Sequence, residues 1–307
     1  MSKKNKIIVI MTVYNGYNYI ELSIDSLIRQ SFRDWKLIII DNASTDKTPE
    51  ALKNFSKESR IINERLTETI PRTEALNYAL SLVPNETDYI MILDSDDIIE
   101  ADWLEKALKF LDYRSHVGVL GGWVNVINQE GKKINSIQAP IFPLTINETF
   151  SYTFPIAHSS TIFRKNIIDM IDGPYDKNIL IGQDWDLCIK LAQITDICTI
   201  GHFSVKWRRY EGSVTGKTDN FLQSRFDKLK NLKNGEKCIK SVFSYFKNRN
   251  RQGVENLAIS LIYIKKKMYS KFLIFFVKSI LKSPFAIIIN NNFYKLFGFS
   301  KPFYKSK

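Results

Sequence analysis

The amino-acid sequence predicts an α/β fold with a mainly parallel sheet, because short apolar runs alternate with helically spaced apolar residues. Three of the runs stop abruptly at polar or acidic residues, as strands do at the carboxyl edge of such a sheet. The chain has 307 residues and is 44% hydrophobic, which is enough to bury the core of one large domain with an extension.

The first half of the sequence contains strands and helices in regular alternation. The predicted strands cover residues 7–13, 35–40, 60–62 and 89–93. The predicted helices cover residues 20–28, 49–55 and 73–82. Right-handed crossovers would bring the residues that follow three of these strands, Tyr14, Asp41 and Asp94, to one crevice.

The second half follows a different pattern. A helix at residues 103–111 precedes two longer strands, residues 117–126 and 131–137, which a hairpin-type turn joins. Residues 157–164 predict another strand, and residues 184–193 predict an amphipathic helix. The hairpin indicates a mixed sheet rather than a purely parallel one.

The net charge of +12 is distributed unevenly along the chain. Residues 1–220 contain 25 lysine and arginine residues against 29 acidic ones, whereas residues 221–307 contain 19 against three. We therefore expect a mildly acidic domain over residues 1–220, with halves that meet near residue 115, and a basic helical tail over residues 221–307.

The tail is also apolar and aromatic. Lys267, Lys271, Lys278 and Lys282 fall within an arc of roughly 60° on one helix face, and most of the remaining residues of that helix are Phe, Leu, Ile and Val. This combination predicts a helix at the cytoplasmic face of a membrane rather than a nucleic-acid contact. The alternative is that the face packs on the domain or on a second subunit.

The cysteine count and the N-terminus indicate a cytoplasmic protein. Cys188, Cys198 and Cys238 are odd in number and lack the spacing of metal ligands, which argues against a disulfide framework or a zinc site. The apolar start lacks a small-residue cleavage site, so we interpret it as a strand rather than a signal peptide. No apolar stretch reaches the length of about 18 residues that predicts a membrane-spanning helix.

Three carboxylates follow the predicted strand at residues 89–93. Asp94, Asp96 and Asp97 would repel one another at a sheet edge unless a cation or hydrogen-bond donors compensated their charge. A divalent metal with a phosphorylated ligand explains the cluster economically. The alternative is an acid-rich helix start, in which Asp96 or Asp97 caps the next helix.

Six segments, taken in order, resemble the family 2 glycosyltransferases, which have the GT-A fold. The segments are IIVIMTVYNGYNYI, LIRQSFRDWKLIIIDNASTDKT, ALNYAL, YIMILDSDDI, HSSTIFR and GQDWDLCIKLA, and they cover about the first 215 residues. The resemblance implies an enzyme that transfers a sugar from a nucleotide-diphosphate sugar, with the nucleotide in the first half of the domain and the acceptor in the second.

The resemblance also implies the donor site. Thr12, Val13 and Tyr14 would supply backbone contacts and a stacking ring to the base, and Asp41 would accept from an N–H of uracil. The family often has two acids at this point, whereas this chain has Asn42 second, so the base contact belongs to either position and uridine is not assured. For Tyr14, the alternative is an exposed turn residue.

The diphosphate and the metal would lie beside the acid cluster. Arg72 is the candidate for a bidentate diphosphate contact, with a solvated arginine as the alternative. Asp96 would ligate Mn²⁺ or Mg²⁺, whereas Asp94, grouped with Ser95 on the donor side, would meet the ribose or a metal-bound water. For Asp97 we favour a helix cap.

The resemblance places the catalytic base at Asp184, after Gln183, which stands where the family has an acid. Asp184 would take the proton of the acceptor hydroxyl in a single displacement that inverts the anomeric carbon. It also suits a helix N-cap, and both roles are compatible. We expect Asp186 to be a first-turn helix acid.

Four further residues bear on the family pattern. For His158 we favour a core histidine bonded to backbone over a contact with the sugar or acceptor. Tyr210 stands where the family often has a histidine, so any metal or phosphate contact of that histidine would be missing here. Arg208 and Arg209 remain candidates for the diphosphate.

These expectations combine into an inverting, metal-dependent enzyme with a UDP-sugar donor and a glycan or lipid-linked acceptor. Synthesis of a bacterial polysaccharide, lipopolysaccharide or capsule, at the inner face of the cell membrane, would suit the basic tail. The alternatives are a nucleotidyltransferase, for which a glycine-rich phosphate loop is lacking after the first strand, and a non-catalytic membrane adaptor that uses the tail alone. The sequence makes no prediction of the oligomeric state.

Overall fold

The computed structural model describes residues 6–139, 141, 156–210, 213, 221–238, 242–265 and 268–283. These residues form two compact units, one within residues 6–213 and one within residues 221–283. Lys267 and the end of the predicted basic tail, residues 284–307, lie outside the described residues.

The first unit alternates strands and helices as the sequence predicts. Its strands are β1 (Ile7–Val13), β2 (Trp35–Asp41), β3 (Ile61–Arg65), β4 (Tyr89–Ile92), β5 (Ile98–Ile99), β6 (Val117–Ile127), β7 (Lys133–Ile137), β8 (Ile162–Arg164) and β9 (Asp196–Arg208). Its helices are α1 (Ile20–Ile28), α2 (Thr48–Lys53), α3 (Arg72–Ser81), α4 (Trp103–Asp112), α5 (Lys165–Ile168) and α6 (Gln183–Leu191).

Among the described residues, nine strands form one sheet in the order β3-β2-β1-β4-β8-β6-β9-β5, with β7 paired to β6. The pairs β2–β3, β1–β2, β1–β4 and β6–β9 are parallel, whereas β8 runs antiparallel to both β4 and β6. The prediction of a mixed sheet is therefore confirmed. Parallel pairing of β1, β2 and β4 brings their carboxyl ends to one edge, where the predicted site residues lie.

The core of the first unit lies between this sheet and its helices. In α1 the apolar residues Ile20, Ile24 and Leu27 recur at helical spacing and are fully buried. Trp35 at the start of β2 and Trp103 at the start of α4 are also buried in this core. Burial of each side chain of this size contributes about 1.5–3 kcal/mol to the free energy of unfolding. The strand ends therefore extend from a well-packed core.

One predicted strand is shorter than expected. The prediction covered residues 157–164, but the strand begins at Ile162, and His158–Ser160 form a 3₁₀ turn. The Ser160 hydroxyl donates to the Ala157 carbonyl at 2.8 Å, which stabilises the turn locally. Its consequence is that His158 and Ser159 face the acid cluster instead of alternating across a sheet.

The loops that follow β1 and β2 are bonded to each other. Asn15, in the left-handed region at φ +54°, accepts a hydrogen bond from the Thr45 amide at 2.8 Å. The Asn15 and Gly16 amides in turn donate to the hydroxyls of Ser44 and Thr48, at 3.0 and 2.9 Å. The two loops therefore form one surface.

The second unit is helical. It contains α7 (Phe221–Asn234), α8 (Val242–Lys265) and α9 (Tyr269–Lys282), with a 3₁₀ turn at Gly235–Cys238. A small apolar core is formed by Leu229, Ile259, Tyr263, Phe226, Phe272 and Phe275. Gly253 allows α8 and α9 to approach closely, since a Cβ there would lie 2.6 Å from the Cβ of Ser283. Within the described residues, no helix has the length and apolar character needed to cross a membrane.

Candidate active site

The predicted site forms around Asp94, the first residue after β4 and its short apolar extension. Its carboxylate forms an ion pair with the guanidinium of Arg72, the first residue of α3. Its backbone is fixed on both sides, because the Asp94 amide donates to the Ser159 hydroxyl at 3.1 Å and its carbonyl accepts from the Ser23 hydroxyl at 3.1 Å. The predicted residues Arg72 and Asp94 are therefore in direct contact.

The carboxylate of Asp96 lies beside that of Asp94. Burial, and then the negative charge of Asp94, raises the pKa of Asp96 to about 6. The hydroxyl of Tyr210 donates a hydrogen bond to this carboxylate, and the Tyr210 ring packs edge-on against Tyr19 with centroids 5.2 Å apart. Tyr210, which replaces a histidine of the family pattern, thus reaches the predicted metal ligand.

Asp97 does not cap a helix, so that prediction is wrong. Helix α4 begins only at Trp103, and Asp97 is 1% exposed. Its carboxylate accepts hydrogen bonds from the Ser159 hydroxyl and, at 2.8 Å, from the Arg208 amide. Burial, followed by the charges of Asp96 and Asp94, raises its pKa well above the usual range. Asp97 is therefore an internal acceptor that joins three segments of the sheet edge.

Arg208 is also placed differently from the prediction that it faces the diphosphate. It is buried, and its guanidinium donates to the carbonyls of Asp96 and Gln129 at 3.0 and 2.9 Å. The same guanidinium stacks on the Tyr19 ring at 4.4 Å from the centroid. Through these contacts Arg208 stabilises the turn that carries Asp96. The Arg209 guanidinium lies over the Trp207 ring.

His158 is a buried histidine, but not one bonded to backbone as we favoured. Its Nε2 lies 2.8 Å from the hydroxyl of Tyr175, and its Nδ1, which has no hydrogen-bond partner among the described residues, lies 3.9 Å from the Asp94 carboxylate. Burial lowers the pKa of His158, and Asp94 and Asp184 offset this only in part. A neutral ring therefore borders the acid cluster.

Asp184 reaches the same cluster from the opposite half of the unit. Burial lowers the pKa of Arg72, but the charges of Asp94, Asp184 and Asp96 outweigh this effect and raise it. Arg72 is thus the cation shared by three predicted site carboxylates. No sequence pattern pointed to Tyr175, which lies in a loop yet is buried. Burial, followed by the charges of Cys188 and Asp184, raises the pKa of its hydroxyl.

The helix that carries Asp184 is fixed by its neighbours. Gly182, with φ +83°, is the N-cap of α6, so the alternative that Asp184 caps this helix is wrong. Asp186 lies in the first turn, as predicted, and forms an ion pair with Lys190 at 2.9 Å. Asp184 is left in the first turn, at the positive end of the helix dipole.

The predicted base-binding residues lie at the carboxyl ends of β1 and β2. Asp41 is 1% exposed, and one carboxylate oxygen accepts from the Ser44 amide at 2.9 Å. Its other oxygen has no hydrogen-bond partner among the described residues and lies 3.7 Å from Arg65. Asn42 uses its side-chain amide and carbonyl to bond the carbonyl and amide of Ile70. Of Asp41 and Asn42, Asp41 therefore has the acceptor oxygen that is more available to a nucleotide base.

The other predicted donor residues lie around this point. Val13 is buried at the end of β1, and its carbonyl accepts from the Asn42 amide at 2.8 Å. Thr12 precedes it in the strand, and the Tyr14 ring is half exposed just beyond. Ser95 lies close to Gly16, since a Cβ at Gly16 would be 3.4 Å from the Ser95 hydroxyl. The structure thus brings the first and fourth strand ends together.

The donor chemistry at the acid cluster fits a hard divalent cation. Asp94 and Asp96 offer carboxylate oxygens, the ligands that Mg²⁺ and Mn²⁺ prefer, and burial, followed by the negative charge of Asp94, raises the pKa of Asp96. Among the described side chains, no group of three or more His, Cys, Asp or Glu residues has the arrangement of a metal site. The fit therefore rests on these two carboxylates.

Comparison with known proteins agrees with this architecture. The sequence model described as Glycosyl transferase family 2 matches residues 8–171. An uncharacterized glycosyltransferase of Methanocaldococcus jannaschii is 28% identical over 227 residues, which cover 72% of this chain and 74% of the relative. The putative glycosyltransferase EpsE of Bacillus subtilis is 33% identical over 135 residues, which cover 43% of this chain and 47% of EpsE.

Two solved structures have a similar fold. S. aureus TarS 1-349 in complex with UDP-GlcNAc has a TM-score of 0.58 at 18% identity, over 89% of this chain and 90% of TarS 1-349. The mannosyltransferase PcManGT from Pyrobaculum calidifontis, in complex with GDP-Man and Mn²⁺, has a TM-score of 0.56 at 15% identity, over 92% and 88% of the two chains. Because the family model covers more than half of the sequence, the chain belongs to glycosyl transferase family 2, and it is a glycosyltransferase with the GT-A fold.

Proposed function

We propose that the enzyme transfers a sugar, with inversion, from a UDP-sugar to a hydroxyl of a glycan or lipid-linked acceptor, with Mn²⁺ or Mg²⁺ as cofactor. The observation that carries the proposal is the position of Arg72, which is paired with Asp94 and lies among the charges of Asp184 and Asp96. A partly buried guanidinium among carboxylates suits a diphosphate that must enter and later leave.

Uridine recognition is supported by the acceptor at Asp41. Its buried oxygen without a hydrogen-bond partner suits the N–H of a uracil ring, and the half-exposed Tyr14 ring is available for stacking. Thr12 and Val13 would contact the base through their backbone, and Asn42 would hold the loop of Ile70 against it. TarS, a structural neighbour, binds UDP-GlcNAc, whereas PcManGT binds GDP-Man, so the base is a point to test.

Asp96 would hold the cation, and Asp94 would contact it through water or bond the ribose, with Ser95 beside them. A divalent cation in this position supplies positive charge that neutralises the leaving diphosphate. Arg72 adds a second positive charge from the protein itself. The Tyr210 hydroxyl, bonded to Asp96 in the free protein, keeps that carboxylate oriented until the donor arrives.

Asp184 would act as the catalytic base. As the acceptor oxygen bonds to the anomeric carbon and the bond from that carbon to the diphosphate breaks, the hydroxyl proton passes to the Asp184 carboxylate. A single displacement of this kind inverts the anomeric configuration. The buried, neutral side chains of His158 and Tyr175 would exclude water from this side of the reaction.

The test is a donor panel with the purified chain, scored by release of the nucleotide diphosphate and by transfer. We expect Asp184→Asn to lower transfer at least about 100-fold while donor binding changes little, because a general base contributes about 10²–10⁴-fold. Asp25→Asn, a change at a half-exposed acid on α1, is the matched control. Retained turnover in Asp184→Asn would move the base elsewhere.

The metal role is tested separately. Asp96→Ala and treatment with a chelator should each abolish transfer, and added Mn²⁺ should restore only the chelated wild type. Undiminished transfer in either case contradicts a metal-dependent reaction. A panel of UDP-, GDP- and dTDP-sugars decides the base, and loss of the UDP preference in Asp41→Asn is expected.

The acceptor and the pathway form the last part of the proposal. A lipid-linked acceptor at the inner face of the cell membrane, in the synthesis of a bacterial surface polysaccharide, agrees with the basic composition of residues 221–307. We expect transfer to a membrane extract from a polysaccharide-producing strain and none to an extract without the lipid carrier.

A further inference from the structure

Helix α9 has an apolar face that the rest of the second unit leaves exposed. Five large aliphatic residues of this face are between 40% and 70% exposed: Leu273, Ile274, Val277, Ile280 and Leu281. The opposite face carries Phe272 and Phe275, which pack in the small core of the unit, and the buried Ser279. At 100° per residue the five exposed residues occupy an arc of about 120°.

Lysines lie along one edge of this face. Lys271, Lys278 and Lys282 fall within an adjoining arc of about 40°. Aromatic and acidic contacts of the unit hold them there, since the Lys278 ammonium lies 5.0 Å from the Phe275 ring centroid and that of Lys282 lies 3.8 Å from Glu236. The predicted lysine stripe therefore exists on the described part of α9, and it borders the apolar arc.

The charge of this region favours a membrane over a second copy of the chain as the partner of the exposed face. Residues 221–307 carry 19 basic residues against three acidic ones, and α9 contains no acidic residue. Two copies of this surface would repel each other, whereas an anionic lipid layer attracts lysines and accepts aliphatic side chains at its acyl boundary. Because α9 is too short to span a bilayer, it suits a position parallel to the surface.

We propose that this face of α9 docks the enzyme on an anionic membrane, with the aliphatic arc in the acyl boundary and the lysines at the headgroups. The inference rests on the proposed transfer to a lipid-linked acceptor, for which it supplies the element that contacts the lipid. The sequence predicted membrane contact for the whole tail, whereas this proposal assigns the contact to the exposed face of α9 alone. Phe272 and Phe275 of the same helix pack inside the unit.

The experiment is co-sedimentation of the full chain with vesicles of phosphatidylcholine, with or without about 30% phosphatidylglycerol. We expect binding to the anionic vesicles and at least about tenfold weaker binding for the double variant Leu273→Ser, Val277→Ser. Lys271→Gln with Lys278→Gln should weaken binding at low salt only, because screening removes that contribution at about 0.5 M salt.

The matched control changes two exposed aliphatic residues of the first unit, Ile62→Ser and Ile134→Ser, and should bind like the wild type. Equal binding by the Leu273→Ser, Val277→Ser variant would overturn the proposal. So would a wild-type dimer in vesicle-free buffer that the same variant abolishes, because the face would then join two copies. Nucleotide release from the donor, measured without vesicles, reports on the proposed transferase activity independently.

Discussion

Ser159 offers the sharpest test of how the acid cluster is held. Its hydroxyl donates to the Asp97 carboxylate and accepts from the Asp94 amide at 3.1 Å, and the residue is 1% exposed. Ser159→Ala removes a donor to the buried Asp97 carboxyl, at a cost of about 1–3 kcal/mol, and the acceptor of the Asp94 amide, at a cost of about 0.5–1.5 kcal/mol. We therefore expect a loss of about 1.5–4.5 kcal/mol in the free energy of unfolding of the first unit.

Ser160 is the matched control, because it is equally buried and neighbours Ser159 in the same 3₁₀ turn. Its hydroxyl donates to the Ala157 carbonyl, which also accepts from the Ser160 amide and from the Thr161 hydroxyl. Ser160→Ala thus leaves no buried group unpaired and should cost only about 1 kcal/mol.

The assay is urea unfolding of both variants and the wild type, followed by far-UV circular dichroism, with the nucleotide affinity measured by calorimetry. Ser159→Ala should also weaken nucleotide binding, because the Asp94 backbone loses its fixed position, whereas Ser160→Ala should leave it unchanged. If the unfolding free energies of the two variants fall by the same amount within about 0.5 kcal/mol, the two hydrogen bonds of the Ser159 hydroxyl contribute no more than that of Ser160, and the reasoning is refuted.

Three further predictions concern the same unit. Arg72→Lys should weaken nucleotide-diphosphate binding by about tenfold or more in calorimetry, because an ammonium cannot pair bidentately; wild-type affinity would contradict this. Gly182→Ala should cost about 1–2 kcal/mol in urea unfolding because φ is +83° there, and no loss would mean that the turn relaxes. Cys188 should resist iodoacetamide at pH 8 until urea is added, because burial and then the charges of Asp184 and Asp186 raise the pKa of its thiol. Labelling of Cys188 in the native chain, measured by peptide mass spectrometry, would contradict this.

The strands and helices of the first half were predictable because their signals are local. Residues 7–13 and 20–28 read as a strand and a helix from apolar spacing alone, and both ranges coincide with β1 and α1. Parallel order then places Asp41 and Asp94 at one edge, which the sheet confirms. Pattern and topology rules were sufficient here.

The errors have a common physical cause, which is contact between residues far apart in sequence. Asp97 precedes a helical pattern and so resembles a cap, but its carboxylate is taken by the amide of Arg208, 111 residues away. His158 forms a hydrogen bond with the Tyr175 hydroxyl rather than with the backbone, and a 3₁₀ turn replaces three residues of the predicted strand. No local spacing encodes such partners, although the acids themselves were correctly singled out as a cluster.

The interlocked loops after β1 and β2 have a consequence for the thermodynamics of donor binding. Asn15 accepts from the Thr45 amide, and the Ser44 and Thr48 hydroxyls accept from the Asn15 and Gly16 amides, so the loops are joined by contacts within the chain itself. The conformational entropy of ordering this surface is therefore lost when the chain folds and not when a nucleotide arrives. A preorganised surface of this kind favours tight binding of a small, rigid base, and replacement of Asn15 would loosen the proposed nucleotide pocket without removing a contact to the ligand.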